Sequence, residues 1–194
     1  MEALSKPELI AILQAATNHR LRNALMILVA YSHGYRASEV CGGWRIRIVN
    51  KQKHRYFHPG LLACDVRDGC ITVARAKGSL VTVQPLVEDE NPLLNERKLL
   101  SAYVALLHGK QRLFPVTRQH FWRLFQRYAK AAGIPERKRH PHILKHTIAM
   151  QVIHSAGIEN TRQYLGHKSM SSTGAYLKVS DAAASAAVGA ALKG

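Results

Sequence analysis

Apolar and polar positions alternate with a helical period over most of the chain. Ser5, Pro7 and Glu8 form a capping box with proline in the first turn, opening a helix that runs to about residue 16. A second helix, over about 20–31, is so rich in Leu, Ile, Met and Val that it reads as buried. Ser32-His33-Gly34-Tyr35 breaks it, and a short helix starts near Ala37. After Asn91-Pro92 the helical period returns over 94–107, 120–132, 141–155, 159–165 and 172–177. Gly133-Ile134-Pro135 and Ala156-Gly157 punctuate these segments. Two β-rich runs, 71–75 and 80–84, flank Lys77-Gly78-Ser79 and predict a hairpin. Residues 180–194 form an Ala-rich helical tail capped by Ser180. The expected fold is mainly α with a small antiparallel β-sheet (α+β). It has no internal repeat or linker, so 1–194 is read as one domain.

Charge changes this picture more than length does. The 194 residues carry 28 Lys and Arg against 12 Asp and Glu, a formal net charge of +16. With 47% hydrophobic residues the chain can bury a core, which excludes a disordered basic tail. A folded protein this basic points to a polyanion, nucleic acid before an anionic membrane surface. No run approaches the roughly 18 apolar residues of a membrane span, and the N-terminus lacks a signal-peptide pattern. Cys41, Cys64 and Cys70 form no CxxC pair, which argues against a disulfide scaffold or zinc ribbon and for a reducing, cytoplasmic setting.

The positive charge is unevenly placed. The stretch 42–60 holds Arg45, Arg47, Lys51, Lys53 and Arg55 with Trp44, Tyr56 and Phe57, and no acid. It is either an exposed loop or hairpin with solvated charges or a nucleic-acid contact arm. A second run, Arg137-Lys138-Arg139-His140, precedes the helix that starts near Pro141; it is a solvated loop or, better, a contact to the phosphate backbone of DNA through Arg137, Lys138 and Arg139. On that helix His142, Lys145 and His146 share one face. As a metal site this is poor, lacking a nearby thiol or carboxylate. A packed histidine at a helix start and an anion site near a helix N-terminus both remain open.

Taken in order, these features resemble the catalytic domain of the tyrosine recombinases, the phage integrase family. They are Arg36 followed by Glu39, a lysine in a β-turn, and a His-x-x-basic-His-Thr helix. Leu165-Gly166-His167 and a tyrosine nine residues later complete the set. The stretch 60–73, with Leu62 and Asp65, resembles the family's passage from helix to sheet, and 141–176 is its most specific part. The resemblance implies Tyr176 as nucleophile, Arg36 as first phosphate-binding arginine and Lys77 as hairpin lysine. It implies His142 and His167 as the two histidine positions, with Glu39 or Asp65 in support. Lys145 departs from the pattern, which places a second arginine there. It also implies that no N-terminal core-binding domain is present, and that 42–60 is an inserted DNA-binding arm.

The implied reaction is attack of the Tyr176 hydroxyl on a scissile phosphate, giving a 3′-phosphotyrosyl link and a free 5′-hydroxyl. The ester conserves bond energy, so the resemblance implies no ATP, metal or other cofactor. Implied partners are double-stranded DNA, further copies of the chain (a dimer or tetramer in synapsis) and accessory DNA-bending proteins. The setting would be bacterial, phage or plasmid-borne, as for a mobile genetic element. An ammonium does not reproduce the planar fork of a guanidinium. Lys145 therefore leaves three outcomes: a slow enzyme, a fork supplied by Arg137 or Arg139, or a DNA-binding protein with weak or no cleavage. A type IB-like topoisomerase or hairpin telomere resolvase shares the chemistry and is a third reading.

Overall fold

Ser5 accepts a hydrogen bond from the Glu8 backbone while Glu8 accepts one from the Ser5 backbone, so the capping box opens α1 (Lys6–His19) as expected. The computed structural model describes residues 2–73, 75, 80–167, 169, 171–174 and 188–189. The apolar run of α2 (Leu21–Ser32) is buried almost throughout, with Leu25, Met26, Ile27, Leu28 and Val29 at its heart. It packs against α1, α4 (Glu96–Val104) and α6 (His142–Tyr164). Next, α5 (Arg118–Ala131) turns Phe121, Leu124, Phe125, Tyr128 and Ala129 inward against α1. Each fully buried Phe there contributes about 1.5–3 kcal/mol.

Short α3 (Ala37–Cys41) follows α2. The helix α6 contains Gly157 in a non-helical conformation, φ 78° and ψ 173°, where the sequence predicts a break between two helices. The last described helix, α7, spans Ser171–Gly174.

The structure has two antiparallel sheets where one was expected. Strands β3 (Val66–Arg67), β4 (Cys70–Val73) and β5 (Thr82–Pro85) pair in that order, with Val73 opposite Thr82. That is the hairpin predicted around Lys77, although Lys77 itself lies outside the described residues. The second sheet is the basic stretch, folded into a ribbon of β1 (Gly43–Val49) and β2 (Gln52–His58). Asn50 and Lys51 turn it with positive φ. Sequence alone leaves 42–60 open between loop and hairpin because its polar residues show no buried face. Tyr176 and the tail 180–194, except residues 188–189, also lie outside the described residues. No helix among the described residues is long and apolar enough to cross a membrane.

Candidate active site

The turn from α2 into α3 builds the first half of the site. Arg36 precedes α3, its backbone N–H donating to Glu39 Oε2 at 2.7 Å and its Nη1 to Oε1 at 3.1 Å. Glu39 is fully buried, and a carboxylate there needs fixed cationic partners. The second is Arg75, with Nη1 3.9 Å from Glu39 Oε2. Arg75 is itself buried and donates to the carbonyls of His33 (2.8 Å), Gly34 (3.2 Å) and Tyr164 (3.1 Å). Its Nε donates to Thr82 at 3.2 Å, and its guanidinium lies 4.4 Å over the Tyr35 ring. One side chain thus ties the root of the β4–β5 hairpin to α2 and the end of α6.

The second half comes from α6. His142 opens the helix, and its ring meets His146 edge-on at 4.5 Å. One turn further, Lys145 is only 2% exposed and its Nζ has no hydrogen-bond partner among the described residues. Burial, then the charges of Arg36 and Arg75, pull its pKa down to about 7. Burial and Arg36 also hold His142 below the usual histidine value. His146 is pushed down to about 4 by burial and then His142.

After α6 the chain reverses at Gly166, φ 66°. A Cβ there would lie 3.1 Å from both Arg75 Cγ and the Leu80 carbonyl oxygen, so only glycine lets the hairpin root dock. Leu80 N–H donates to the Gly166 carbonyl at 3.3 Å. His167 follows, buried, with Nδ1 3.0 Å from Thr173 Oγ1 of α7. Burial, then Lys145 and Arg36, push its pKa down to about 4, so near pH 7 it acts as a neutral hydrogen-bonding ring.

Arg36, His142, Lys145 and His167 are therefore gathered around Glu39. Tyr176 is outside the described residues, two positions beyond α7. Asp65 accepts the Leu62 N–H at 2.8 Å and serves the local 3₁₀ turn.

Arg36 and His142 open into a groove of about 680 Å³, which Arg118, Gln119, Trp122 and Arg123 of α5 also line. The exposed face of α5 continues with Arg127 and Lys130, and no acid occurs from 118 to 131. The helical period places this helix but leaves its basic face unassigned. The signal is legible there: cations at helical spacing with no counter-charge.

The ribbon stands beside α5. Its register puts Trp44, Ile46, Ile48, Lys53, Arg55 and Phe57 on one face, and Arg45, Arg47, His54 and Tyr56 on the other. Arg55 covers the Trp44 ring at 4.4 Å. At the root, a Cβ on Gly42 would lie 2.3 Å from the His58 carbonyl oxygen, so the two strands are pinched together there. Arg112 clamps the root through the carbonyls of Cys41 and Pro59.

The run 137–139 is held by ion pairs and a backbone contact, with the Arg137 side chain still 70% exposed. Arg137 pairs with Glu2, and Lys138 with Glu8 at 2.9 Å. Arg139 Nε donates to the Ile134 carbonyl at 2.6 Å. The guanidiniums whose charges bear on Lys145 are those of Arg36 and Arg75.

Comparison with known proteins fits this geometry. The sequence profile of the phage integrase family matches residues 61–183. Tyrosine recombinase XerD of Xanthomonas axonopodis pv. citri (strain 306) is 32% identical over 195 residues, covering 92% of this chain and 58% of XerD. The chain thus spans less than two-thirds of that relative. The crystal structure of XerA recombinase superposes with a TM-score of 0.67 at 25% identity, over 95% of this chain and 61% of XerA. A lambda integrase dimer bound to a COC′ core site has the same fold, with a TM-score of 0.66 at 20% identity over 93% of this chain and 50% of the integrase.

Proposed function

As this chain belongs to the phage integrase family, whose profile spans more than half of it, we propose that it is a site-specific recombinase that cleaves and rejoins DNA through a phosphotyrosyl intermediate. The observation that carries this reading is the gathering of Arg36, His142, Lys145 and His167 around a buried Glu39, at the mouth of a cationic groove. Tyr176 attacks the phosphorus and the 5′-oxygen departs, with Lys77 as its general acid. Arg36 and Lys145 balance the charge on the non-bridging oxygens. His142 and neutral His167 donate hydrogen bonds to the phosphate or relay the tyrosine proton. These fixed groups supply what a metal supplies elsewhere, so the reaction runs without metal or ATP.

Double-stranded DNA lies along α5 and the ribbon, whose two-stranded width suits a major groove. Copies of the chain assemble on paired sites, a proposal supported by the dimeric, DNA-bound lambda integrase of the same fold. Replacing residues 45–56 with a short turn is expected to weaken DNA binding and flatten its salt dependence. The slope should fall by about 0.9 for each phosphate that the ribbon no longer neutralises. A titration of affinity against salt checks this, and an unchanged slope contradicts it.

A second reading keeps the DNA binding and gives up cleavage, and Lys145 is the observation that favours it. Strand exchange separates the two. Duplexes selected for binding from a random pool should yield recombinant-length strands when mixed in pairs. Tight binding with no exchanged strands from any selected pair supports the second reading.

A further inference from the structure

We propose that Lys145 stands as a neutral amine in the free protein and takes up a proton as a phosphate oxygen arrives beside it, so that anion binding and charging of this residue are one event. The inference rests on the pocket being a phosphate site. An ammonium has three donors, and this one would be buried with no acceptor for any of them among the described residues. Such a charge is costly until a partner enters.

The groups around it make the cost specific. From the α3 side come Arg36 and Glu39, and from the hairpin root Arg75. His142 lies one turn back on α6, and His167 on the turn that follows it. Glu39 is the one carboxylate among them, and its oxygens are engaged by both guanidiniums. Among the described residues two cations thus already outweigh one anion, and a third cation is unfavourable. A phosphodiester adds the missing negative charge and acceptor oxygens, and the third cation becomes favourable. The lowered pKa agrees with this reading.

The proton balance is simple. A phosphodiester carries no titratable proton near neutrality, so the proton comes from solvent and returns there when the phosphate leaves. His142, His146 and His167 all titrate below their ordinary value in the free protein, so the Lys145 signal itself is followed to assign the uptake. An arginine at this position stays charged throughout and shows no coupling.

The test is a nuclear magnetic resonance titration of the full chain with ¹³C at the lysine Cε. The Lys145 signal is the one absent from Lys145→Arg or, if that variant does not fold, from Lys145→Gln. Sulfate serves as the probe, a tetrahedral anion that does not titrate in this range, with ionic strength held constant by chloride. Without sulfate the midpoint should lie near 7. With sulfate it should rise by at least one unit, which is a tenfold tighter hold on the anion by the charged form. A midpoint above 9 without sulfate overturns the proposal. So does a midpoint near 7 that stays put while the His142 ring signal reports sulfate arriving. If His142 too ignores sulfate, the pocket is not a phosphate site, and the functional reading falls with the proposal. In cleavage assays, wild type should lose rate above the raised midpoint while Lys145→Arg stays flat.

Discussion

Arg75→Leu is expected to cost about 3–5 kcal/mol of folding stability, the usual result of breaking a buried ion pair from one side. Glu39 would keep its buried negative charge and lose one of the two guanidiniums described beside it. The carbonyls of His33, Gly34 and Tyr164 would lose a donor. Leaving a buried carbonyl unpartnered costs about 1–3 kcal/mol; the Tyr164 carbonyl still accepts from Gln84 Nε2, and losses on one side chain do not add independently. Loss of the tie between hairpin root, α2 and α6 should also scatter the site and abolish cleavage. Urea unfolding checks the stability. Adding Glu39→Gln should recover part of it, because the neutral amide needs no counter-charge. A loss under about 1 kcal/mol, with no rescue, would contradict the ion-pair account.

Arg36→Gln should reduce DNA cleavage by about 10²–10³-fold, the usual effect of removing one transition-state donor. The fold should survive, because the backbone N–H of residue 36 still donates to Glu39 and Arg75 remains in place. Arg36 also lowers the pKa of Lys145, His142 and His167, so all three should titrate higher in this variant. The folded pKa of a base held below its unfolded value weakens stability at low pH, and raising it back relieves that loss. The variant should therefore gain stability relative to wild type as pH falls toward about 7 through Lys145, a gain complete below that pH, and again as pH falls toward about 4 through His167. Single-turnover cleavage and acid titrations of unfolding check the two effects. A cleavage rate within a few-fold of wild type would remove Arg36 from the phosphate site.

Motifs that act locally were legible in the sequence. The α1 capping box, the break at Gly157 and the placement of His142 and Lys145 on one helix all follow from spacing. The parts that were not legible depend on the tertiary fold. Arg75 reads as one more residue of a β-rich run, and nothing near it in sequence tells that its partners are Glu39 and Tyr164. The run 137–139 reads as a free basic patch because its carboxylates, Glu2 and Glu8, lie at the other end of the chain. The basic face of α5 was available to inspection, since its arginines repeat at helical spacing with no acid between them. Lys145 was visible as a departure from the family pattern, but its lack of a hydrogen-bond partner among the described residues is a property of the folded pocket.

The central claim is tyrosine chemistry without a metal, and covalent trapping tests it most directly. The protein is incubated in EDTA with a nicked duplex selected for binding, and the products are run on a denaturing gel. Wild type should give a protein–DNA adduct, Tyr176→Phe none, and Lys145→Arg an adduct whose yield reports what the lysine costs. An adduct that persists in Tyr176→Phe, or one that disappears with EDTA, would contradict the account.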